Sequence, residues 1–206
     1  NTQIMKRHLK EKQFKIKKKL EEYKKTRKLH REWRLANDMI TVWIVWYTNA
    51  WKSSLLNALT RKWVLAEDKL FATLWTSVWK MYIPLEEWRW KEVLLNDTIW
   101  FIKDLPPDLI EAFSSTLEDS IQSQVLLNVV DCSDPKIEEK LKVVDRILEE
   151  IKATQPRIYV FNKSDLITDS QKIRMTRKFK RYKPIFVSAQ DKIWFDELKS
   201  KILEKI

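Results

Sequence analysis

The sequence WYTNAWKSS at residues 46–54 decides the fold of this chain, and it follows directly after the apolar run ITVWIV at residues 40–45. With glycine at its first and sixth positions, it would be the phosphate-binding loop GxxxxGK[ST], which lies between a buried strand and the start of a helix. Both positions, 46 and 51, hold tryptophan. The stretch therefore has the pattern of a phosphate loop without the residues whose missing side chains let backbone N–H groups close around a phosphate.

The residues of this loop have defined expected roles. Lys52 would reach the terminal phosphates of a nucleotide, and the Ser53 hydroxyl would be a ligand of a magnesium ion. The remaining positions expected to contact the nucleotide are Trp46, Asn49, Ala50, Trp51 and Ser54. We expect a bulky indole at 46 or 51 to fill the space that the phosphates need.

The glycine and tryptophan contents of the chain are abnormal. Its 206 residues include no glycine and 11 tryptophans, whereas average usage of about 7% predicts roughly 14 glycines. Several tryptophans stand where turns favour glycine, namely Trp63, Trp88, Trp90 and Trp194. The pattern indicates that tryptophan has systematically replaced glycine, either by engineering or in the recorded sequence. The alternative is that these residues are ordinary core or interface aromatics.

The positive charge of the chain is concentrated in its first segment. The net charge is +11, and residues 1–34 contribute +10 of it through 14 Lys or Arg and 4 Asp or Glu. Residues 4–34 contain no proline, and apolar or aromatic residues form a narrow helical stripe (Leu9, Ile16, Leu20, Tyr23). This pattern predicts a long basic helix. It would either contact RNA through phosphate attraction or be a solvated helix that packs on a neighbour.

Cysteine content and hydropathy limit the compartment. Cys132 is the single cysteine, so no internal disulfide can form and a reducing compartment is expected. No apolar run approaches membrane-spanning length, and the first residues lack the apolar core of a signal peptide. The sequence therefore predicts a cytoplasmic protein without a membrane partner, and we expect a monomer.

Strand-like and helix-like stretches alternate along the rest of the chain. This alternation predicts an α/β fold in which helices cover both faces of a mostly parallel, six-stranded sheet. The expected domains are a basic helical arm over residues 1–36 and a sheet domain over residues 37–206. Strands are predicted at 40–45, 81–83, 92–95, 125–130, 158–161 and 185–187, and helices at 53–59, 108–120, 137–151, 170–181 and 195–206.

Three further motifs follow predicted strands, at the sheet edge where ligands bind in such folds. Asp97 and Trp100 form DxxG with tryptophan for glycine. The aspartate of that motif holds magnesium, and the N–H of its last residue bonds the γ-phosphate.

The other two motifs predict a base-binding site. Asn162, Lys163 and Asp165 form NKxD, in which the aspartate can accept two hydrogen bonds from guanine that adenine cannot offer. Ser188 and Ala189 begin a loop of the SA type, whose backbone contacts the guanine edge. Any one motif could be structural, but four in this order predict a guanine nucleotide site.

Several of these segments together resemble the HflX family of ribosome-associated GTPases: VWYTNAWKSSLLNALT, EDKLFATL, DTIWFIKDLPPDLIEAF, VVDCSDP and VFNKSD. The resemblance implies a P-loop GTPase of Ras-like fold that binds GTP and GDP, binds the rRNA of the large ribosomal subunit, and helps to split or rescue stalled ribosomes. The basic helix resembles the arm that precedes the GTPase domain in that family. The family's N-terminal domain has no counterpart here, which suggests a fragment.

The resemblance also implies individual roles. Ser53 and Thr73 would be magnesium ligands, and Asp97 would contact the ion through water. Lys52, Thr73 and Asp97 would be the catalytic residues. Asn49 corresponds to the residue that in some relatives helps to hold a potassium ion. Phe101 occupies the position where many GTPases carry a glutamine that orients the attacking water, which implies slow intrinsic hydrolysis.

The sequence leaves three hypotheses open. The first is a GTP hydrolase whose nucleotide state controls ribosome binding. The second is a nucleotide-dead module that grips RNA, because tryptophan replaces the motif glycines. The third is a chain that does not fold stably, because indoles at turn positions introduce strain and exposed apolar surface.

Overall fold

The computed structural model describes residues 39–46, 52–60, 77–85, 88–97, 123–191 and 195–206, with seven further residues between 14 and 32. Contacts between residues group the chain into two compact units, Asn1–Met39 and Ile40–Ile206. In the first unit, the seven described residues are helical and exposed. The remainder of the helix predicted over residues 4–34 lies outside the described residues, as does the helix predicted over 108–120.

A six-stranded sheet forms the centre of the second unit. Its strands lie in the order β2-β3-β1-β4-β5-β6. The edge strand β2 runs antiparallel to β3, and every other neighbouring pair is parallel. The predicted mostly parallel, six-stranded α/β sheet is therefore confirmed. The strands are β1 (Ile40–Trp46), β2 (Ser77–Pro84), β3 (Trp90–Asp97), β4 (Val125–Asp131), β5 (Arg157–Asn162) and β6 (Ile185–Phe186).

The helices that the structure describes fall close to the predicted ones. They are α1 (Lys52–Leu59), α2 (Ile137–Glu150), α3 (Asp169–Lys178) and α4 (Phe195–Leu203). Helix α3 ends earlier than predicted and gives way to a 3₁₀ turn at Lys180–Tyr182. Its start is fixed by a capping box, in which Thr168 and Gln171 satisfy each other's backbone N–H groups.

The largest differences from prediction are in β2 and β3, which extend beyond 81–83 and 92–95 at both ends. Antiparallel pairing runs from Ser77 opposite Asp97 to Pro84 opposite Trp90. The added residues include half-buried and exposed side chains. Polar and apolar residues are mixed at these ends, so a search for apolar runs missed them, while cross-strand pairing keeps them in the sheet.

Apolar side chains cover both faces of the sheet. Alternate residues of β1 point to opposite faces, so Val42 and Ile44 join one buried cluster and Trp43 and Val45 join another. The first cluster includes Leu55, Leu56 and Leu59 of α1 and Phe195, Leu198 and Ile202 of α4. The second includes Val144 and Leu148 of α2. Covering both faces removes most of β1 and β4 from water, which explains their predominantly apolar sequences.

The hairpin between β2 and β3 turns at a tryptophan. The Leu85 N–H donates to the Arg89 carbonyl at 2.8 Å, and Trp88 adopts a left-handed backbone with φ of 64°. Its side chain is 98% exposed. A residue with a Cβ atom loses roughly 1–2 kcal/mol in this conformation, whereas glycine does not. At this turn the chain therefore adopts a conformation typical of glycine.

Among the described residues, no helix is both long enough and apolar enough to cross a membrane.

Candidate nucleotide-binding site

Parallel pairing brings the predicted motifs to one edge of the sheet. Asp97 at the end of β3 lies beside Ile44, two residues before β1 ends at Trp46. On the other side, Asp131 at the end of β4 lies beside Asn162 at the end of β5. The carboxyl ends of β3, β1, β4 and β5 therefore form a continuous edge, where α/β folds bind ligands.

At the phosphate-loop end of this edge, Lys52 and Ser53 lie in the first turn of α1. A helix start is a favourable place for a phosphate because its first N–H groups have no partner within the helix. Ser54 is half-buried in the same turn. The predicted residues Asn49, Ala50, Trp51, Thr73 and Trp100 lie outside the described residues.

Trp46 differs from the sequence expectation. Its indole was expected to fill the space that the phosphates need, but Trp46 is an extended residue of β1, paired with Val129 of β4. The indole is 1% exposed and belongs to the core cluster that contains Leu55. Within the described part of the chain its Nε1–H has no hydrogen-bond partner. Leaving such a donor buried costs about 1–3 kcal/mol. The indole is therefore accommodated by the core at an energetic cost.

The loops after β5 and β6 meet at the other end of this edge. Asn162 is 2% exposed, and its Oδ1 accepts a hydrogen bond from the Ala189 N–H at 3.2 Å. The Ser164 N–H donates to the Val187 carbonyl at 3.0 Å. These two bonds join the loop after β5 to the loop after β6. The structure thus brings the NKxD and SA motifs together, as a guanine site requires.

Lys163 follows Asn162 with a left-handed backbone, at φ of 64°. Its ammonium group forms an ion pair with Oδ2 of Asp131, and both side chains are mostly buried. The other carboxylate oxygen of Asp131 accepts hydrogen bonds from the N–H and hydroxyl of Ser133, at 2.9 and 2.6 Å. The ion pair holds the Lys163 stem beside β4. A non-glycine residue keeps a left-handed backbone only where its surroundings enforce it, and such residues cluster at ligand sites.

Asp165 has the properties that base recognition requires. It lies in the short 3₁₀ turn Ser164–Leu166 and is exposed. Within the region that the structure describes, its carboxylate forms no hydrogen bond or ion pair. Two acceptor oxygens are therefore free for the N1–H and the 2-amino group of guanine.

Two hydrogen bonds between Ser188 and Asp191 fix the conformation of the SA loop. Ser188 is fully buried, its hydroxyl donates to Oδ2 of Asp191 at 3.1 Å, and the Asp191 N–H donates back to Oγ at 3.1 Å. The hydroxyl of Ser188 thus holds the loop, while the half-buried Ala189 lies next to Asn162. This arrangement assigns Ser188 to positioning the loop.

Sequence reasoning gave Asp131 and Ser133 no role, although their segment VVDCSDP contributed to the resemblance. An acidic residue at the end of a strand beside the NKxD strand was the available signal.

Cys132 lies between these two residues in the sequence. Burial and the neighbouring negative charge of Asp131 raise the pKa of its thiol to about 12. The thiol therefore stays protonated at neutral pH, which argues against a nucleophilic role.

Among the described residues, no group of three or more His, Cys, Asp or Glu could hold a metal ion. The donor types at the phosphate end nevertheless fit magnesium bound together with a nucleotide. Ser53 is the second residue of α1, and Asp97 ends strand β3, the neighbour of β1. Magnesium in such sites takes few protein ligands and relies on phosphate oxygens and water.

Comparison with known proteins agrees with this geometry. A family model described as "50S ribosome-binding GTPase" matches residues 41–163. The GTPase HflX of Caldanaerobacter subterraneus subsp. tengcongensis is 43% identical over 199 residues, covering 95% of this chain and 44% of that protein. The GTPase HflX of Methanocaldococcus jannaschii is 43% identical over 195 residues, covering 93% and 47%. This chain thus spans less than half the length of these relatives.

Among solved structures, a GTP-binding protein from Sulfolobus solfataricus in complex with GDP is similar to this chain with a TM-score of 0.61. The two are 26% identical, and the match covers 88% of this chain and 57% of that one. This similarity confirms the predicted P-loop GTPase fold. Because the family model spans more than half of the chain and the HflX proteins align with most of it, this chain belongs to the HflX family of GTPases.

Proposed function

We propose that residues 40–206 form a domain that binds GTP with magnesium and hydrolyses it to GDP and phosphate when glycine stands at positions 46, 51 and 100. The observation that carries this proposal is the base site: Asn162 joins the NKxD loop to the SA loop, and the exposed Asp165 offers a free carboxylate beside them. Asp165 reads guanine, and Lys163, held by Asp131, supports the base. The relatives named above are described as GTPases, which supports the same activity.

At the phosphate end, Lys52 would bind the β- and γ-phosphates. Ser53 and Thr73 would hold magnesium, with Asp97 behind them, and the ion would neutralise negative charge on the transferred phosphoryl group. Asn49 would help to hold a potassium ion. Phe101 cannot orient a water molecule through a hydrogen bond, so intrinsic hydrolysis is expected to be slow until a partner orders the site.

We further propose that the nucleotide state controls binding to the large ribosomal subunit, with ribosome splitting or rescue as the outcome. The family description and the basic segment 1–34 support this partner. The alternative, a nucleotide-dead RNA-binding module, rests on Trp46, Trp51 and Trp100. It is not favoured, because relatives that match nearly the whole chain are described as GTPases.

The base site can be tested by the substitution Asp165→Asn. The introduced amide replaces one acceptor by a donor, so a hydrogen bond to guanine is lost and a donor faces the 2-amino group. Because a hydrogen bond to a charged group contributes about 1.5–3 kcal/mol, GTP affinity should fall roughly 10- to 100-fold. Xanthosine triphosphate, which carries a carbonyl in place of that amino group, should gain affinity. Titration with both nucleotides in a background that binds GTP measures this, and an unchanged preference would contradict the assignment.

The phosphate loop can be tested by restoring glycine. We expect the chain as written to bind GTP weakly or not at all, because indoles stand where backbone must approach the phosphates. The triple substitution Trp46→Gly, Trp51→Gly and Trp100→Gly should restore micromolar binding of a fluorescent GTP analogue. The control is Trp88→Gly with Trp90→Gly in the β2–β3 hairpin, which should leave binding unchanged. Equal binding by the written chain and the triple variant would refute this account.

The arm can be tested by deleting residues 1–34. Removing 14 Lys or Arg should weaken ribosomal RNA binding and flatten its dependence on salt, because fewer counterions are then released. Affinity measured across a salt series, for both forms of the chain, reports the loss. If affinity survives the deletion, the arm is a packing element and does not contact RNA.

A further inference from the structure

The sheet domain has a second concentration of positive charge, which the sequence analysis missed. Residues 169–183 carry seven Lys or Arg and one acidic residue, Asp169, a net charge of +6. The rest of the chain from residue 35 onwards therefore sums to −5, since residues 35–206 together carry +1. Because residues 35–206 together carry a net charge of only +1, their total charge did not reveal the basic segment 169–183. We call the exposed basic residues of this segment the α3 surface: Arg174, Arg177, Lys178, Lys180, Arg181 and Lys183.

Local structure accounts for only part of this charge. Arg177 and Lys178 lie in the last turn of α3, where cations stabilise the helix dipole. Lys178 also forms an ion pair with Glu138 of α2 at 2.9 Å. Arg181 donates a hydrogen bond to the Tyr182 hydroxyl, and its guanidinium lies 4.3 Å from that ring's centre. These contacts hold two of the cations in place.

Apart from the position of Arg177 in that last turn, the other cations have no such explanation. Among the described residues, Arg174, Arg177, Lys180 and Lys183 form no ion pair with an acidic side chain. Arg174 and Arg177 are three residues apart and Lys178 is four residues from Arg174, so all three share one helix face. Like charges at this spacing destabilise a helix by a few tenths of a kcal/mol. A surface that keeps unpaired like charges together is suited to binding a polyanion.

We propose that the α3 surface binds the phosphate backbone of RNA. This inference deepens the proposed function, because it names a surface through which the domain would contact ribosomal RNA. Arginine is suited to this partner, since its planar guanidinium matches phosphate oxygens with two parallel hydrogen bonds. The partly exposed ring of Tyr182 holds Arg181 beside the same surface. The interaction gives affinity without reading sequence.

The test is a matched pair of triple variants of the full chain. The first is Arg174→Gln, Arg177→Gln and Lys180→Gln. The control removes the same charge and residue types from exposed positions elsewhere, Arg89→Gln, Arg146→Gln and Lys205→Gln. Binding to a short RNA duplex is measured across a salt series without nucleotide, so the result does not depend on GTP binding. Thermal unfolding confirms that both variants fold.

The first variant should lower the slope of log affinity against log salt by about 2, at roughly 0.7–0.9 per lost phosphate contact. The control should leave that slope unchanged. The same slope in wild type and the first variant, or an equal loss in the control, would overturn the proposal. Poly-L-glutamate serves as a second probe: if the first variant weakens its binding as much as RNA binding, the surface fits an acidic protein instead.

The tryptophans carry an independent inference. Eleven tryptophans and no glycine, with strand, helix and motif patterns otherwise intact, cannot arise from scattered mutations. Trp88 has the backbone of a glycine turn and a fully exposed indole. Trp46 and Trp79 bury indole N–H groups that have no partner within the described residues. One rule, applied at every glycine position, explains these observations together.

We propose that the codon read as tryptophan in this chain specifies glycine in the cell that makes it, as a reassigned UGA stop codon would. The protein would then carry intact GxxxxGK[ST] and DxxG motifs. Mass spectrometry of the protein purified from that cell tests this through the peptides spanning residues 40–60 and 92–103. Glycine masses at 46, 51 and 100, with UGA at those codons in the gene, are the expected result. Tryptophan masses, or UGG codons, would overturn the proposal.

Discussion

Parallel pairing of β3, β1, β4, β5 and β6 is the constraint on which the rest of the structure depends. Parallel strands place all their carboxyl ends at one edge, so residues far apart in sequence become neighbours. Asp97, Asp131 and Asn162 are brought to this edge by hydrogen-bonded register. Both faces must be covered for such a sheet to exist, and α1, α2 and α4 supply the covering apolar residues.

The base site shows how this edge becomes specific. The sheet brings the loops after β4, β5 and β6 together, and polar contacts then fix their conformations. Asp131 holds Lys163 by an ion pair, and Asn162 holds Ala189 by a hydrogen bond. Each of these side chains is used to position another group, which leaves Asp165 as the carboxylate that is free to contact a ligand. Most of the described part of this site is therefore scaffold, and in our proposal the exposed Asp165 contacts the base.

The sheet is packed although tryptophan stands at glycine positions. Trp43 and Trp46 lie in the core, where large apolar side chains can be buried. The cost falls on polar atoms and backbone: an indole N–H without a partner at Trp46 and a left-handed backbone at Trp88. Fold and phosphate binding therefore differ in their demands. The fold accommodates apolar volume at these positions, whereas phosphate binding needs bare backbone.

Periodicity and motif order were enough to determine the α/β class, the mostly parallel sheet and most element positions, because buried parallel strands and amphipathic helices have distinct apolar patterns. The family was indicated by the resemblance of whole segments, not by periodicity. Periodicity and motif order did not determine the full extent of β2 and β3, whose ends are held by cross-strand pairing outside the short apolar runs. They also could not give Asp131 its role or reveal that Trp46 is an extended core residue. Those features depend on which strands become neighbours, and only tertiary structure decides that.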